Sequence, residues 1–405
     1  MSTTGAGLDL LSPASFAHGQ PHDEFKRLRD EAPVSWHPER DGPGFWALMR
    51  YDDVKAVGRD PATFSSEPTV MIADDTGIEL GDHKMMLMAD PPYHTRLRRI
   101  VNHEFTPKAS ERLRPRIETL CRDIVDAVIE RGECDFVTDI AGEIPSYVIA
   151  DVLGIPLDDG RRLYHLTETI HAAPESQLEG AGLGAVLEMF NYAHEVATQK
   201  RAHPGDDLST KILQAEVEGR AVDDIDFNLF FLLLVDAGGD TTRNLLGGGL
   251  LALFEQPGER ARLVADLDGL LPTAVEEMLR WVSPVIHMRR RATRPVTLHG
   301  VDIAEGDKVV MYYGAANRDE RAFVDPDRFD VGRTPNDHLA FGGGGPHFCL
   351  GAHLARVEVQ AMLREVLTRL RDLEPAGPVE WLPSNFISGP KHLPVRFTPG
   401  ARLAG

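Results

Sequence analysis

Cysteine is scarce in this chain: three in 405 residues, Cys121, Cys134 and Cys349, none close to another. That excludes a disulfide framework and the paired spacing of a zinc or dithiol site, and a reducing compartment fits best. Basic residues are also short, 43 against 63 acidic ones, giving a formal net charge of -20. Phosphate contacts need clustered lysine and arginine, so no nucleic-acid partner is expected. Any anionic partner must find a local basic patch. Long apolar runs are missing as well. The strongest, Leu229 to Val235, falls far short of the roughly 20 residues that span a bilayer. The opening stretch MSTTGAGLDLLSPASFAHGQ lacks the basic-then-apolar order of a secretory leader. The expectation is a cytoplasmic protein with no membrane partner.

What is present is ordinary globular material, 42% hydrophobic and 26% charged. No repeat or low-complexity tract divides it. From about Pro107 to Leu253 the apolar spacing is mostly helical, as in Leu113, Ile117, Leu120, Ile124 and Val128, at steps of three and four. A half-alternating run at Gly44 to Arg50 predicts a short strand. Val296, Leu298, Val301 and Ile303, then Val309, Val310 and Tyr312, predict hairpins about the Gly300 and Glu305-Gly306 turns. Helical spacing resumes near Gly351 with Leu354, Val357, Met362, Leu363, Val366 and Leu370. The class is mainly α with small β-sheets, in a single domain over residues 1–405.

The segment Phe341-Gly-Gly-Gly-Gly-Pro-His-Phe-Cys349-Leu-Gly351 carries the most chemistry. Consecutive glycines permit backbone conformations and close approaches that a side chain blocks. Cys349 then stands just before a helical pattern, whose free N–H groups and partial positive charge favour a thiolate. Glycines in front, amides behind and one lone sulfur suit a ligand to a metal held in a bulky planar cofactor. An inert buried thiol is the competing reading. A phosphate cradle is weaker, because no Lys-Ser/Thr pair follows the glycines.

Other segments join it. Glu277 and Arg280, three apart, share a helical face. Arg328 lies in Asp325-Pro-Asp-Arg-Phe329. Asp240 and Thr241 follow Ala237-Gly-Gly inside a long apolar stretch, where an acid and a hydroxyl need partners if buried. His94 and Arg98 are four apart, and Arg289, Arg290 and Arg291 are consecutive.

Together these segments, in this order from about Pro33 onward, resemble the cytochrome P450 family. The family's loop reads Phe-x-x-Gly-x-His/Arg-x-Cys-x-Gly. Gly345, His347, Cys349 and Gly351 match it, while Gly342 takes the place of the Phe and Phe341 lies one residue early. The resemblance implies a P450 fold with haem b between the central helix and the cysteine-loop helix, and Cys349 as the iron ligand. It implies His94, Arg98, Arg290 and His347 at the propionates, with Gly351 beside the cysteine. Only phase selects Arg290 from its neighbours. Glu277, Arg280 and Arg328 would form a buried structural network, and Asp240 with Thr241 would deliver protons to bound oxygen.

The implied activity is insertion of one oxygen atom from O2 into a C–H bond of a hydrophobic molecule. By family position the pocket would be lined by Phe64, Met86, Met88, Phe230, Leu234, Ala237, Val285, Ile286, Met288 and Phe386, an apolar set. The stretch from Pro284 to Arg290 and the four glycines resemble bacterial members acting on sterols, terpenoids or branched lipids. No flavin or nicotinamide fingerprint is visible, so electrons come from elsewhere, and the resemblance to bacterial three-component systems implies a ferredoxin and its reductase as the source. Arg112, Arg114, Arg116, Arg356 and Arg364 are the docking candidates. A peroxide-using enzyme and a non-oxygenating haem-thiolate sensor are the alternatives.

Overall fold

The computed structural model describes residues 7–73, 81–171 and 181–403. Its axis is the helix Asp224–Glu255, 32 residues long. Asp223 caps it, accepting from the Asp226 amide, while the Asp226 side chain accepts from the Asp223 amide. Apolar residues occur on every side of this helix, from Phe227 to Leu253, so it is buried all round. Helices Pro107–Val128, Glu143–Leu153, Leu157–His171, Ala181–Ala202, Leu267–Val282 and Ala352–Arg369 share one core with it, in which Ile124, Phe136, Phe231, Leu246, Met278 and Met362 are buried. The cysteine-loop helix Ala352–Arg369 lies along Pro107–Val128. Among the described residues no single helix is long and apolar enough to cross a membrane.

The main sheet has five strands, in the order Val34–His37, Phe45–Leu48, Lys308–Tyr312, His287–Ala292, Phe64–Ser65. The strand expected near residues 44–50 is Phe45–Leu48. Val296–Leu298 and Val301–Ile303 pair as the first expected hairpin, its turn made by His299 and Gly300 at φ 51° and 77°. The turn at Glu305-Gly306 does not fold Lys308–Tyr312 back onto that pair. This strand instead runs parallel to Phe45–Leu48 and antiparallel to His287–Ala292. All five of its residues are buried, and only a central strand can bury both faces of such a run. Val309 and Met311 enter one apolar cluster with Phe64 and Ala292. Val310 and Tyr312 enter the opposite one with Phe25 and Ile286.

Candidate active site

Gly342, Gly343, Gly344 and Gly345 all take positive φ, 93°, 68°, 106° and 79°, a run that only glycine adopts freely. Gly345 also has no room for a side chain: a Cβ there would stand 2.4 Å from the Gly58 carbonyl oxygen. Arg59 fastens the loop from outside, donating from Nε to the Gly343 carbonyl at 2.9 Å. The Cys349 amide donates back to the Phe341 carbonyl at 3.0 Å, so the extra glycine is taken up inside a closed loop. The Phe341 ring lies under the Arg356 guanidinium, 4.6 Å from its centroid, and 6.3 Å edge-on from Phe348.

Cys349 is accessible at its surface, yet burial is the largest influence on its thiol and pushes the pKa up. The Gly351 amide, Arg98 and Arg356 pull it down. A side chain both accessible and enclosed faces an internal space, not bulk water. Cys121 and Cys134 are simply buried or half-buried, and burial raises both thiols.

A second group of side chains gathers beside the cysteine loop. The helix Tyr93–Val101 supplies His94 and Arg98, and Arg98 donates from Nη1 to the Pro346 carbonyl at 3.0 Å. Strand alternation separates the three consecutive arginines. Arg289 turns to the Met71 and Ile72 carbonyls, 3.3 Å from each. Arg291 is exposed. Arg290 is buried on the other face, where its charge bears on both His347 and His94.

The His94 and His347 rings are 4.2 Å apart. Burial, then Arg98, holds His94 down to about 4. Burial, then Arg290, holds His347 down to about 2. Both are therefore neutral between two guanidiniums. Asp90, the acid whose charge reaches His94 and Arg290, is itself tied to Ser65 and Ser66. His94 Nδ1 is buried without a partner, and such an atom is costly unless something binds it. Two cations and an orphaned imidazole nitrogen beside an enclosed sulfur fit a planar cofactor carrying two carboxylates.

On the central helix, Ala237 is exposed although Phe230 and Leu234 before it are buried. In a helix buried all round, such a residue opens on an internal space. Half-buried Thr241 follows one turn later on that face and donates to the Ala237 carbonyl at 2.9 Å, a back-bond that loosens the helix. Asp240 is fully buried and pairs with Arg243 at 3.4 Å. Arg243 in turn holds Glu168 and the Tyr164 hydroxyl on the helix Leu157–His171. These three partners went unread in the sequence. The signal for one was there, since Asp240 and Arg243 are three apart on an apolar helix.

The network around Glu277 needs a correction. Arg280 meets Glu277 with two bonds of 2.8 Å. The second guanidinium belongs to Arg333, at 3.1 and 3.0 Å, not to Arg328. Asn336 and the Asp330 amide complete the set at 3.2 and 2.9 Å. Arg328 contributes only its carbonyl, which accepts from Arg280 at 3.2 Å and from Arg333 at 2.7 Å. Its neighbour Phe329 takes the buried position, and that turns the Arg328 side chain out to solvent.

Six of the apolar residues assigned to the pocket fall into two clusters, Met88 and Phe386 lie outside both, and Ile286 faces elsewhere. Met86, Phe230 and Leu234 belong to the helical core. Phe64, Val285 and Met288 belong to one face of the sheet. Met88 is half-buried beside Met86, and half-buried Phe386 packs on His287 at 5.4 Å. Ile286 is the exception, because it points into the cluster on the far side of the sheet with Phe16 and Phe25. It is fully buried core. Val285 and Ile286 alternate, so only one of them can face inward.

Four of the five docking arginines are already spent. Arg114 pairs with Glu111 at 2.7 Å, Arg116 with Asp151 at 3.4 Å, Arg356 with Glu276 at 2.6 Å and Arg364 with Asp268 at 2.7 Å. Exposed Arg112 makes no ion pair among the described residues.

Comparison with known proteins agrees with this geometry. The family model described as Cytochrome P450 matches residues 183–380. The methyl-branched lipid omega-hydroxylase of Mycobacterium tuberculosis is 41% identical over 393 residues, covering 92% of this chain and 90% of that one. The steroid C26-monooxygenase of Mycolicibacterium smegmatis is 38% identical over 404 residues, covering 98% of each. Among solved structures, the Mycobacterium marinum cytochrome P450 CYP268A2 in complex with pseudoionone superposes with a TM-score of 0.91 at 38% identity, covering 96% of this chain and 98% of that one. At that identity and coverage the chain belongs to the cytochrome P450 family: it is a haem-thiolate monooxygenase, and its cofactor is haem b.

Proposed function

We propose that this monooxygenase, a single domain working in the cytoplasm, oxidises the methyl end of a branched lipid or sterol side chain with electrons from a ferredoxin. The observation that supports the substrate class is the likeness to the omega-hydroxylase and C26-monooxygenase. Both names denote the far end of a branched aliphatic chain. The lining residues agree, for Phe64, Met86, Phe230, Leu234, Val285 and Met288 are all apolar. Such walls grip by area and shape, and flexible methionine adapts to a methyl branch.

Bound haem supplies iron that activates dioxygen, and a thiolate ligand favours O–O cleavage. Cys349 is the sulfur in reach of that place, with the Gly351 amide to stabilise its charge. His94, Arg98, Arg290 and His347 are the residues that would hold its carboxylates. Asp240 is the proton source, and Thr241 is the last hydroxyl before the internal space. Replacing Thr241 by Ala should uncouple electron use from product. Full coupling in that variant would remove Thr241 from the relay.

The ferredoxin dock draws on Lys108 and Arg112, four apart and exposed on the helix packed against the cysteine-loop helix. The paired arginines add little net field, because each carries its own acid. Lys108→Ala with Arg112→Ala should slow ferredoxin-driven reduction at low salt, and an unchanged rate would refute the patch. For the substrate, the haem spectrum should report tight binding of a methyl-branched long-chain fatty acid or an intact sterol side chain. Products should carry oxygen at the terminal methyl. Equal or better turnover of a straight chain of the same length would overturn the branched-lipid reading.

A further inference from the structure

Asp226, Phe230, Leu234, Ala237 and Thr241 share one face of the central helix. At 100° per residue they fall within an arc of about 80°. Thr241 stands at one end of that face and Asp226 at the other, about 22 Å apart along the axis at 1.5 Å per residue. A ligand that reacts near Thr241 and lies along Leu234 and Phe230 therefore points its unreacted end at Asp226.

That end is built as a fixed point. Asp226 is buried and shares the reciprocal cap with Asp223. Arg220, on the strand Arg220–Ala221, bridges the two acids, with Nη1 on Asp223 and Nη2 on Asp226 at 2.7 Å each. Half-buried His83 meets the same pair. Its Nδ1 is 3.0 Å from Asp226 Oδ1, while its Nε2 is 3.6 Å from Asp223 Oδ2, too long for a hydrogen bond. A carboxylate only accepts, so Nδ1 carries the proton and donates it.

His83 leads into the segment that covers this end of the face. Three residues on, Met86 opens the short helix Met86–Met88, which packs on the central helix. Met86 joins the same apolar cluster as Phe230 and Leu234. The segment has a second tie at Glu67, which accepts from Lys84 Nζ at 2.7 Å and from the Asp90 amide at 3.4 Å. Lys84 and Glu67 are both well exposed, and such a pair holds little. A charged acceptor that is buried holds more. The His83–Asp226 bond is thus the firmer tie, and it sets where Met86 lies along the helix.

We propose that His83 is a positioning residue for substrate: anchored on Asp226, it presses Met86 onto the far end of the pocket and so favours ligands long enough to reach there. This rests on the apolar pocket along Phe230 and Leu234.

The test titrates the haem-loaded full chain with N-butylimidazole and N-dodecylimidazole at about pH 8.5, where imidazoles are uncharged. Both probes bind iron through the ring nitrogen and shift the haem absorption band, so only tail length differs. Wild type should favour the dodecyl probe at least about 100-fold, from the added buried methylenes. His83→Ala should weaken the dodecyl probe about tenfold and the butyl probe less than about twofold, as expected for losing one hydrogen bond to a charged group at the far end alone. His83→Asn keeps an N–H near the place of Nδ1 and should restore most of the loss. Met86→Ala should cost less dodecyl affinity in His83→Ala than in wild type, because His83 acts through Met86.

A side chain that merely held the fold would weaken both probes alike, and that result in His83→Ala overturns the proposal. So does an unchanged dodecyl affinity. Should His83→Ala take up no haem, His83→Ser decides on the same ratio. If wild type itself does not distinguish the two tails, the pocket reading falls and the proposal with it. If wild type distinguishes them and His83→Ala does so equally well, the positioning role alone falls.

Discussion

Glu277 and Asp240 are both fully buried acids on helices that pack together, yet their surroundings differ in kind. Glu277 receives Arg280, Arg333, Asn336 and the Asp330 amide, so every lone pair is engaged by a fixed donor. Asp240 meets the Arg243 guanidinium at 3.4 Å, and that guanidinium is shared with Glu168 and Tyr164 on another helix. A carboxylate saturated by donors has nowhere to send or take a proton. One held by a long, divided contact keeps room to turn. Burial alone therefore does not decide whether an acid is structural; the length and rigidity of its contacts bear on that, and on this ground we propose Asp240 as the acid that moves protons.

The comparison can be broken most severely at the saturated site. Glu277→Gln leaves Arg280 and Arg333 short of a counter-charge, and should cost about 3–5 kcal/mol with poor recovery of haem-loaded protein. Thermal or denaturant unfolding checks it. At the looser site Asp240→Asn should leave folding and haem spectrum near wild type but slow product formation about 100-fold, read from turnover with a saturating electron supply. A normal rate, or a collapsed fold, would erase the distinction.

A third acid sharpens it. Glu358, on the cysteine-loop helix, is 4% exposed with Oε2 unpartnered, and burial pushes its carboxyl up to about 8 from 4.5. The folded chain thus holds a proton that the unfolded chain gives up. Stability from this group is intact below the unfolded pKa and is lost as pH rises through that window to about 8. Glu358→Gln should raise the melting temperature at about pH 8.5 and leave it nearly unchanged at about pH 4. The smallest effect belongs to Arg328→Gln, within about 0.5 kcal/mol, since its side chain is at the surface. A loss as large as that of Arg333→Gln would return Arg328 to the network.

The cysteine loop, the helical core and the buried acid of the central helix were legible because each declares itself over a short stretch. Four glycines before Cys349 and apolar steps of three and four need no distant partner. The choice among Arg289, Arg290 and Arg291 was also legible in principle, from the period of two that puts Met288, Arg290 and Ala292 on one face. Arg333 was not. It lies in a loop without periodicity, where turns such as that at Asp325, φ 47°, decide which guanidinium swings inward. Glu168 for Arg243, Glu276 for Arg356 and Ser66 for His347 are 75, 80 and 281 residues from their partners. Pattern reading reaches one turn of helix or one strand neighbour, and these pairings are set by packing. The spent docking arginines show the same limit: counting cations along a helix says nothing of the acids folded against them.

The glycine loop has one more implication. Arg59 stands at the surface and grips the Gly343 carbonyl, while Gly58 beneath it leaves no slack against Gly345. The backbone leading to Cys349 is thus fastened to the last turn of the helix Tyr51–Arg59, so replacing Arg59 would bear on the sulfur's position from outside the molecule's interior.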